Sequence, residues 1–155
     1  MGDDVPQESR LAGPPPEPLA SATEFLLSWM GRKTASGFAA ALQPLGLRPP
    51  QFGILNLVDA RPGITQQELV AGSLIDPSSM VAVIDELEEL RLAERRRHPQ
   101  DRRKHAVHIT AKGRRTLARA RDVAVDFADD LLAPLDSDEQ ETLRLLLRKL
   151  AGVEN

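Results

Sequence analysis

Residues 65–91 read TQQELVAGSLIDPSSMVAVIDELEELR, and two helix starts stand inside them. Thr65 is followed three residues later by Glu68, so the hydroxyl can accept from the Glu68 amide while the carboxylate reaches back to the amide of the cap. The helix opened there is short, because Gly72 follows soon. After about three turn residues, Asp76-Pro77 supplies a cap and then a proline at the first helical position. Met80, Val83, Ile84, Leu87 and Leu90 then recur at i, i+3, i+4, i+7 and i+10, which predicts an amphipathic helix from Pro77 to about Arg91. A short helix, a tight turn and a second helix that begins with small polar residues form a helix-turn-helix, whose second helix can enter a DNA major groove by its N-terminal end.

On the N-terminal side, Pro49-Pro50 opens a helix with Phe52, Leu55 and Val58 on one face, and Arg61-Pro62-Gly63 closes it. Before it, Phe25, Leu26, Trp29, Met30, Phe38, Ala41 and Leu42 recur at helical spacing from Ala20 to near Pro44–Gly46. Residues 1–18 hold five of the chain's twelve prolines and little that can pack, so they are expected to be a disordered, acidic arm. On the C-terminal side, Leu92 to Arg97 and His105 to Ile109 are short strand-like runs. In the second, Val107 and Ile109 take one face, Ala106 and His108 the other. Residues 98–104 between them are polar and basic, which makes a hairpin with a charged tip. Thr110 caps a long helix lined by Leu117, Ala120, Ala124, Phe127, Ala128 and Leu131 and ended by Pro134. Asp136 and Glu139 then repeat the capping-box logic before Leu143, Leu146, Leu147 and Leu150.

The fold class expected is mainly α (α+β). Residues 48–110 form a winged helix-turn-helix domain, and residues 19–47 with 111–151 form a helical dimerisation region, since so much apolar helix surface needs a partner. The absence of cysteine excludes disulfides, thiolate metal sites, cysteine nucleophiles and thiol redox switches. No run of 18 apolar residues occurs, and the first ten residues carry Asp3, Asp4 and Glu8 without an apolar segment, so a soluble, cytoplasmic protein with no membrane association is expected.

The formal net charge is −3, but it is unevenly spread. From Arg91 to Arg119 there are eleven basic residues against two acidic ones, a surplus of nine, so the rest of the chain sums to −12. A basic stripe directly after a helix-turn-helix points to double-stranded DNA. The candidate DNA-facing residues are Thr65 and Gln66 at the start of the short helix and Pro77, Ser78, Ser79, Val81 and Ala82 at the start of the recognition helix. Arg95, Arg97, Asp101, Arg102, Arg103 and Lys104 join them on the hairpin. The serines can bond base edges or phosphates, whereas Val81 and Ala82 can only touch apolar surface such as a thymine methyl. A narrow basic ribbon suits the minor groove, whose negative potential attracts guanidinium groups.

These same residues resemble the MarR-type winged-helix repressors. The resemblance is carried by Thr65 to Leu69, Ile75-Asp76 with Ser78-Ser79, Leu87-Glu88-Glu89, and the run DRRKHAVHIT from Asp101 to Thr110 with Lys112-Gly113 after it. It spans about residues 20–150. Membership would imply an obligate homodimer built from the first, penultimate and last helices, a pseudo-palindromic operator, and relief of repression by a small molecule. By the same resemblance Arg103 would be the wing-tip arginine and Asp101 its orienting partner. The family's effector pocket would fall near Trp29, Lys33, Phe52 and Asp59, although Trp29 and Phe52 also fit a plain core role. The chain departs from the family pattern at Ala82 and Glu86, where a basic or polar reader is common, and at Arg91, where a glycine is usual.

His98, His105 and His108 match no zinc spacing, so no metal and no cofactor are expected. No phosphate loop or catalytic constellation stands among the 23 acidic residues, and no enzyme activity is expected. The alternative to a ligand-controlled repressor is a constitutive architectural DNA-binding or protein-interaction protein.

Overall fold

The computed structural model describes residues 13–97 and 105–153, and most element boundaries fall where local capping chemistry puts them. Helix α1 spans Thr23–Leu42 and runs into a single 3-10 turn, Gln43–Leu45, closed by Gly46 at φ 66°. Helix α2 spans Pro49–Ala60 and opens with prolines at its first positions, while the Gln51 side chain accepts from the Arg48 amide at 2.9 Å. Helix α3, Gln66–Ala71, carries the capping box: Thr65 Oγ1 accepts from the Glu68 amide at 3.3 Å, and Glu68 Oε2 accepts from the Thr65 amide at 2.8 Å. Helix α4, Pro77–Glu89, starts on Asp76, whose Oδ1 accepts from the amides of Ser78 and Ser79 at 3.0 Å each.

Strand β1 is the pair Ile64–Thr65, β2 is Ala93–Arg97 and β3 is His105–Ile109. The sheet is antiparallel in the order β1-β3-β2, with Ala93 opposite Ile109, Arg97 opposite His105, and Ile64 opposite Val107. The hairpin expected from sequence is therefore a three-stranded sheet. Its third strand is too short to show an alternating pattern. A second difference follows from this: Ala106, assigned with His108 to the outward face, is only 1% exposed, because β3 is the middle strand and Thr65 lies opposite Ala106.

Between β2 and helix α5, Ala111–Leu132, the backbones approach closely. A Cβ at Gly113 would lie 2.0 Å from the Leu92 carbonyl oxygen, so only glycine fits. Thr110 Oγ1 accepts from the Gly113 amide at 2.9 Å and donates to the Arg91 carbonyl at 2.8 Å, and Lys112 Nζ donates to the Leu90 carbonyl at 2.8 Å. The start of α5 is thus bolted to the corner at which α4 ends. Arg91 itself sits at that corner with φ 59°, a left-handed conformation that glycine would adopt without strain.

The core is built from Leu42, Leu55, Val58, Leu69, Met80, Ile84, Leu87, Val107 and Leu117, all essentially inaccessible to solvent. Helix α6, Ser137–Leu150, stands outside it. No residue of α6 is buried, and Leu145, Leu146, Leu147 and Leu150 are all exposed. A groove of about 610 Å³ runs along this helix, lined by Leu132, Gln140, Leu143, Leu147, Ala151 and Val153 among others. Among the described residues no helix is long and apolar enough to cross a membrane.

Candidate nucleic-acid interface

The N-terminal end of α4 is presented as a capped, exposed tip. Pro77, Ser78, Ser79, Val81 and Ala82 are all exposed, while the opposite stripe, Met80, Val83, Ile84 and Leu87, is buried. The buried stripe fixes which side faces outward. Hydrogen bonds from Ser78 and Ser79 hold the Asp76 carboxyl far below the usual carboxylate range, so the cap stays ionised under all but strongly acidic conditions. Ser78 Oγ donates its proton to Asp76 Oδ1 at 2.5 Å. Its oxygen is left as an acceptor, suited to an exocyclic amino group of adenine or cytosine rather than to a phosphate, which has no proton to give.

Thr65 and Gln66 are less available. Thr65 is 8% exposed, and its hydroxyl and amide both serve the capping box with Glu68. The Thr65 amide bond, with a smaller contribution from Arg61, also lowers the pKa of Glu68. Gln66 is half-buried.

The C-terminal half of α4 has a different character. Asp85, Glu86, Glu88 and Glu89 crowd into its last five residues, where the helix dipole is itself negative. Partners from elsewhere in the chain hold three of them. Glu86 accepts from Arg48 and, at 2.9 Å, from Gln51 Nε2, which ties it to the start of α2. Asp85 accepts from Arg95 Nη1 at 2.6 Å, and Glu88 accepts from the same guanidinium and, at 2.7 Å, from the Arg95 backbone amide. Arg95, expected to line phosphates, is therefore folded back onto α4, with its side chain 20% exposed. Arg96 pairs with Glu94 beside it, whereas Arg97 is exposed at the end of β2. Asp101, Arg102, Arg103 and Lys104, together with His98, lie outside the described residues.

The four residues of the expected effector pocket do not form one constellation. Trp29 is half-buried against Phe25, with ring centroids 5.9 Å apart. Phe52 meets Phe38 edge-on at 5.3 Å, and Phe38 in turn meets Phe127 of α5 at 5.5 Å. Lys33 is exposed. Asp59 is bridged at 3.0 Å by Arg121 of α5, whose Nε also donates to Asn56 Oδ1 at 3.0 Å. Sequence reasoning missed Arg121, Asn56, Phe38 and Phe127 as members of this α1–α2–α5 junction. The polar pair Asn56 and Asp59, one turn apart on a largely apolar helix, was the available signal. Among the described residues no group of three His, Asp or Glu side chains is placed to hold a metal ion.

Comparison with known proteins gives consistent matches. The model of the MarR family matches residues 45–104. An HTH-type transcriptional repressor of Mycobacterium tuberculosis is 32% identical over 129 residues, which cover 83% of this chain and 92% of that protein. A protein of Thauera aromatica described as a transcriptional regulatory protein for the hcr operon is 35% identical over 105 residues. These cover 68% of this chain but only 63% of that relative, just under two thirds of its length. Among solved structures, the transcriptional repressor CouR bound to a 23-mer DNA duplex superposes with a TM-score of 0.82 at 33% identity, covering 90% of this chain and 99% of that one. CouR from Rhodococcus jostii RHA1 bound to p-coumaroyl-CoA gives a TM-score of 0.76 at 27% identity, covering 88% and 96%.

Proposed function

The chain belongs to the MarR family, and we propose on that ground that it is a sequence-specific, ligand-responsive transcriptional repressor that binds a pseudo-palindromic operator as a homodimer. The observation that carries this reading is α4. It is a capped helix whose apolar stripe is fully buried and whose N-terminal tip is exposed and uncharged beyond its cap, beside a basic strand pair. Such a tip fits a major groove, with the positive end of the helix dipole toward the phosphates. The strand pair β2–β3 carries the basic run toward the flanking backbone. The exposed leucines of α6 give each copy a face that a second copy covers, and the dimer then offers two α4 tips to two half-sites roughly one helical turn apart. Residues 48–110 act as the reading domain, and α1, α5 and α6 as the dimerisation region.

Support for a small-molecule effector comes from the relative crystallised with p-coumaroyl-CoA and from the α1–α2–α5 junction. There the Arg121 bridge to Asn56 and Asp59 joins the dimerisation helix to the domain that reads DNA. A ligand entering that junction would shift the dimer to a spacing that no longer fits both half-sites. The protein has no catalytic part in this account and acts in the cytoplasm.

The test is a footprint of the purified protein on the DNA upstream of its own gene, at low and moderate salt. Selective protection of two related half-sites, with affinity falling by roughly 10³ to 10⁵ if six to ten phosphates are contacted, is the expected result. Uniform protection without sequence preference would overturn the reading in favour of an architectural binder.

A further inference from the structure

The acidic C-terminal half of α4 is an odd surface for a helix that approaches a polyanion, and its neutralisation is not spread over the basic stripe. One guanidinium, that of Arg95, holds both Asp85 and Glu88, and the Arg95 backbone amide bonds Glu88 as well. Arg95 Nη2 also lies 3.5 Å from the Val81 carbonyl, so the side chain spans three successive turns of the exposed side of the helix. It enters from β2, three residues into the strand pair that carries the basic run. No other basic residue of β2 is arranged in this way: Arg96 is occupied by Glu94 on its own strand, and Arg97 is exposed.

We propose that Arg95 is a positioning residue for DNA recognition and not a phosphate contact. It locks β2 to the outer side of α4 and so fixes the distance between the base-reading tip and the strand pair. This inference rests on the DNA-binding reading above. Physically, a guanidinium shared by two carboxylates in a partly buried site is a geometrically stiff connection. Releasing it for a phosphate would leave Asp85 and Glu88 facing the DNA unneutralised. The two roles therefore predict opposite signs for one experiment. If Arg95 contacts phosphate, removing the carboxylates frees it and strengthens binding. If it positions the strand pair, removing them weakens selective binding although the protein has become less negative.

A duplex selected by the wild-type protein from a randomised library serves as the probe, read by anisotropy across a salt series and by hydroxyl-radical footprinting. Arg95→Met and the double variant Asp85→Asn/Glu88→Gln are compared with wild type. The double variant preserves side-chain shape, and thermal unfolding checks that both fold. Both variants should lose on the order of tenfold in affinity for the selected duplex. Binding to bulk DNA and the salt slope should be unchanged, and protection flanking the half-sites should be lost while protection within them persists. A salt slope for Arg95→Met that is shallower by about one, as expected when a phosphate is no longer neutralised, with uniformly weaker binding and a tighter double variant, would overturn the proposal. A wild-type protein that selects no sequence would overturn this inference and the DNA-binding reading together.

Discussion

Helices α4 and α6 begin in the same way: an aspartate, Asp76 or Asp136, accepts from the amides two and three residues on. Beyond the cap they diverge. The apolar stripe of α4 is buried by its own chain at Met80, Val83, Ile84 and Leu87, whereas α6 buries nothing and leaves Leu145, Leu146, Leu147 and Leu150 exposed. Local sequence thus specifies a helix equally well in both places. What differs is where the partner surface resides, within the chain for α4 and, on the present account, on a second copy for α6.

Breaking each apolar face should separate the two cases. Leu87→Ala, in a site with no solvent exposure, should cost about 2–5 kcal/mol of folding stability, measured by chemical denaturation. Leu147→Glu on α6 should leave the helical content of each subunit close to wild type while converting dimer to monomer, read by sedimentation. A Leu147→Glu protein that remains dimeric would mean that α6 has another role.

The caps sharpen the comparison. Asp76→Ala should lower the thermal midpoint by less than Leu87→Ala does and weaken operator binding as well, whereas Asp136→Ala should affect only the former. The pH dependence has a definite sign. The folded pKa of Asp76 lies below its unfolded value, so its contribution is fully present above the unfolded carboxylate range and is lost as pH falls through the folded value. Asp76→Ala should therefore flatten the acid limb of the stability profile, and an acid limb identical to wild type would argue against the cap. The smallest expected effect is a gain: Arg91→Gly relieves a left-handed residue at the α4–β2 corner and should raise stability by about 1 kcal/mol. An unchanged denaturation midpoint would show that Arg91 is held there without strain.

The elements legible in the sequence are those set by nearby residues. Thr65 with Glu68, Asp76 with Pro77, and Thr110 with Gly113 each define a helix start within four positions, and the helix-turn-helix follows from them. The two residues of β1 carry no periodic signal and become a strand only because β3 lies alongside them. Charge was legible as a stripe, but not where each charge is directed. Arg95 turns back across the α4–β2 corner to Asp85 and Glu88, Glu86 is taken up by Arg48 from another helix, and Asp59 meets Arg121 from 62 positions away. Pairings of this kind depend on how helices pack, which helical spacing does not encode. For the same reason the aromatic residues Trp29 and Phe52, grouped together by resemblance, have different partners in the folded chain.

The most direct test of the account is a binding titration of the selected duplex against the same duplex with one half-site scrambled, both in excess bulk DNA. Two α4 tips presented by one dimer require both half-sites, so scrambling one should weaken binding by at least about a factor of ten, as expected for several mismatched base pairs. Equal affinity for the two duplexes would contradict a dimeric, sequence-reading repressor.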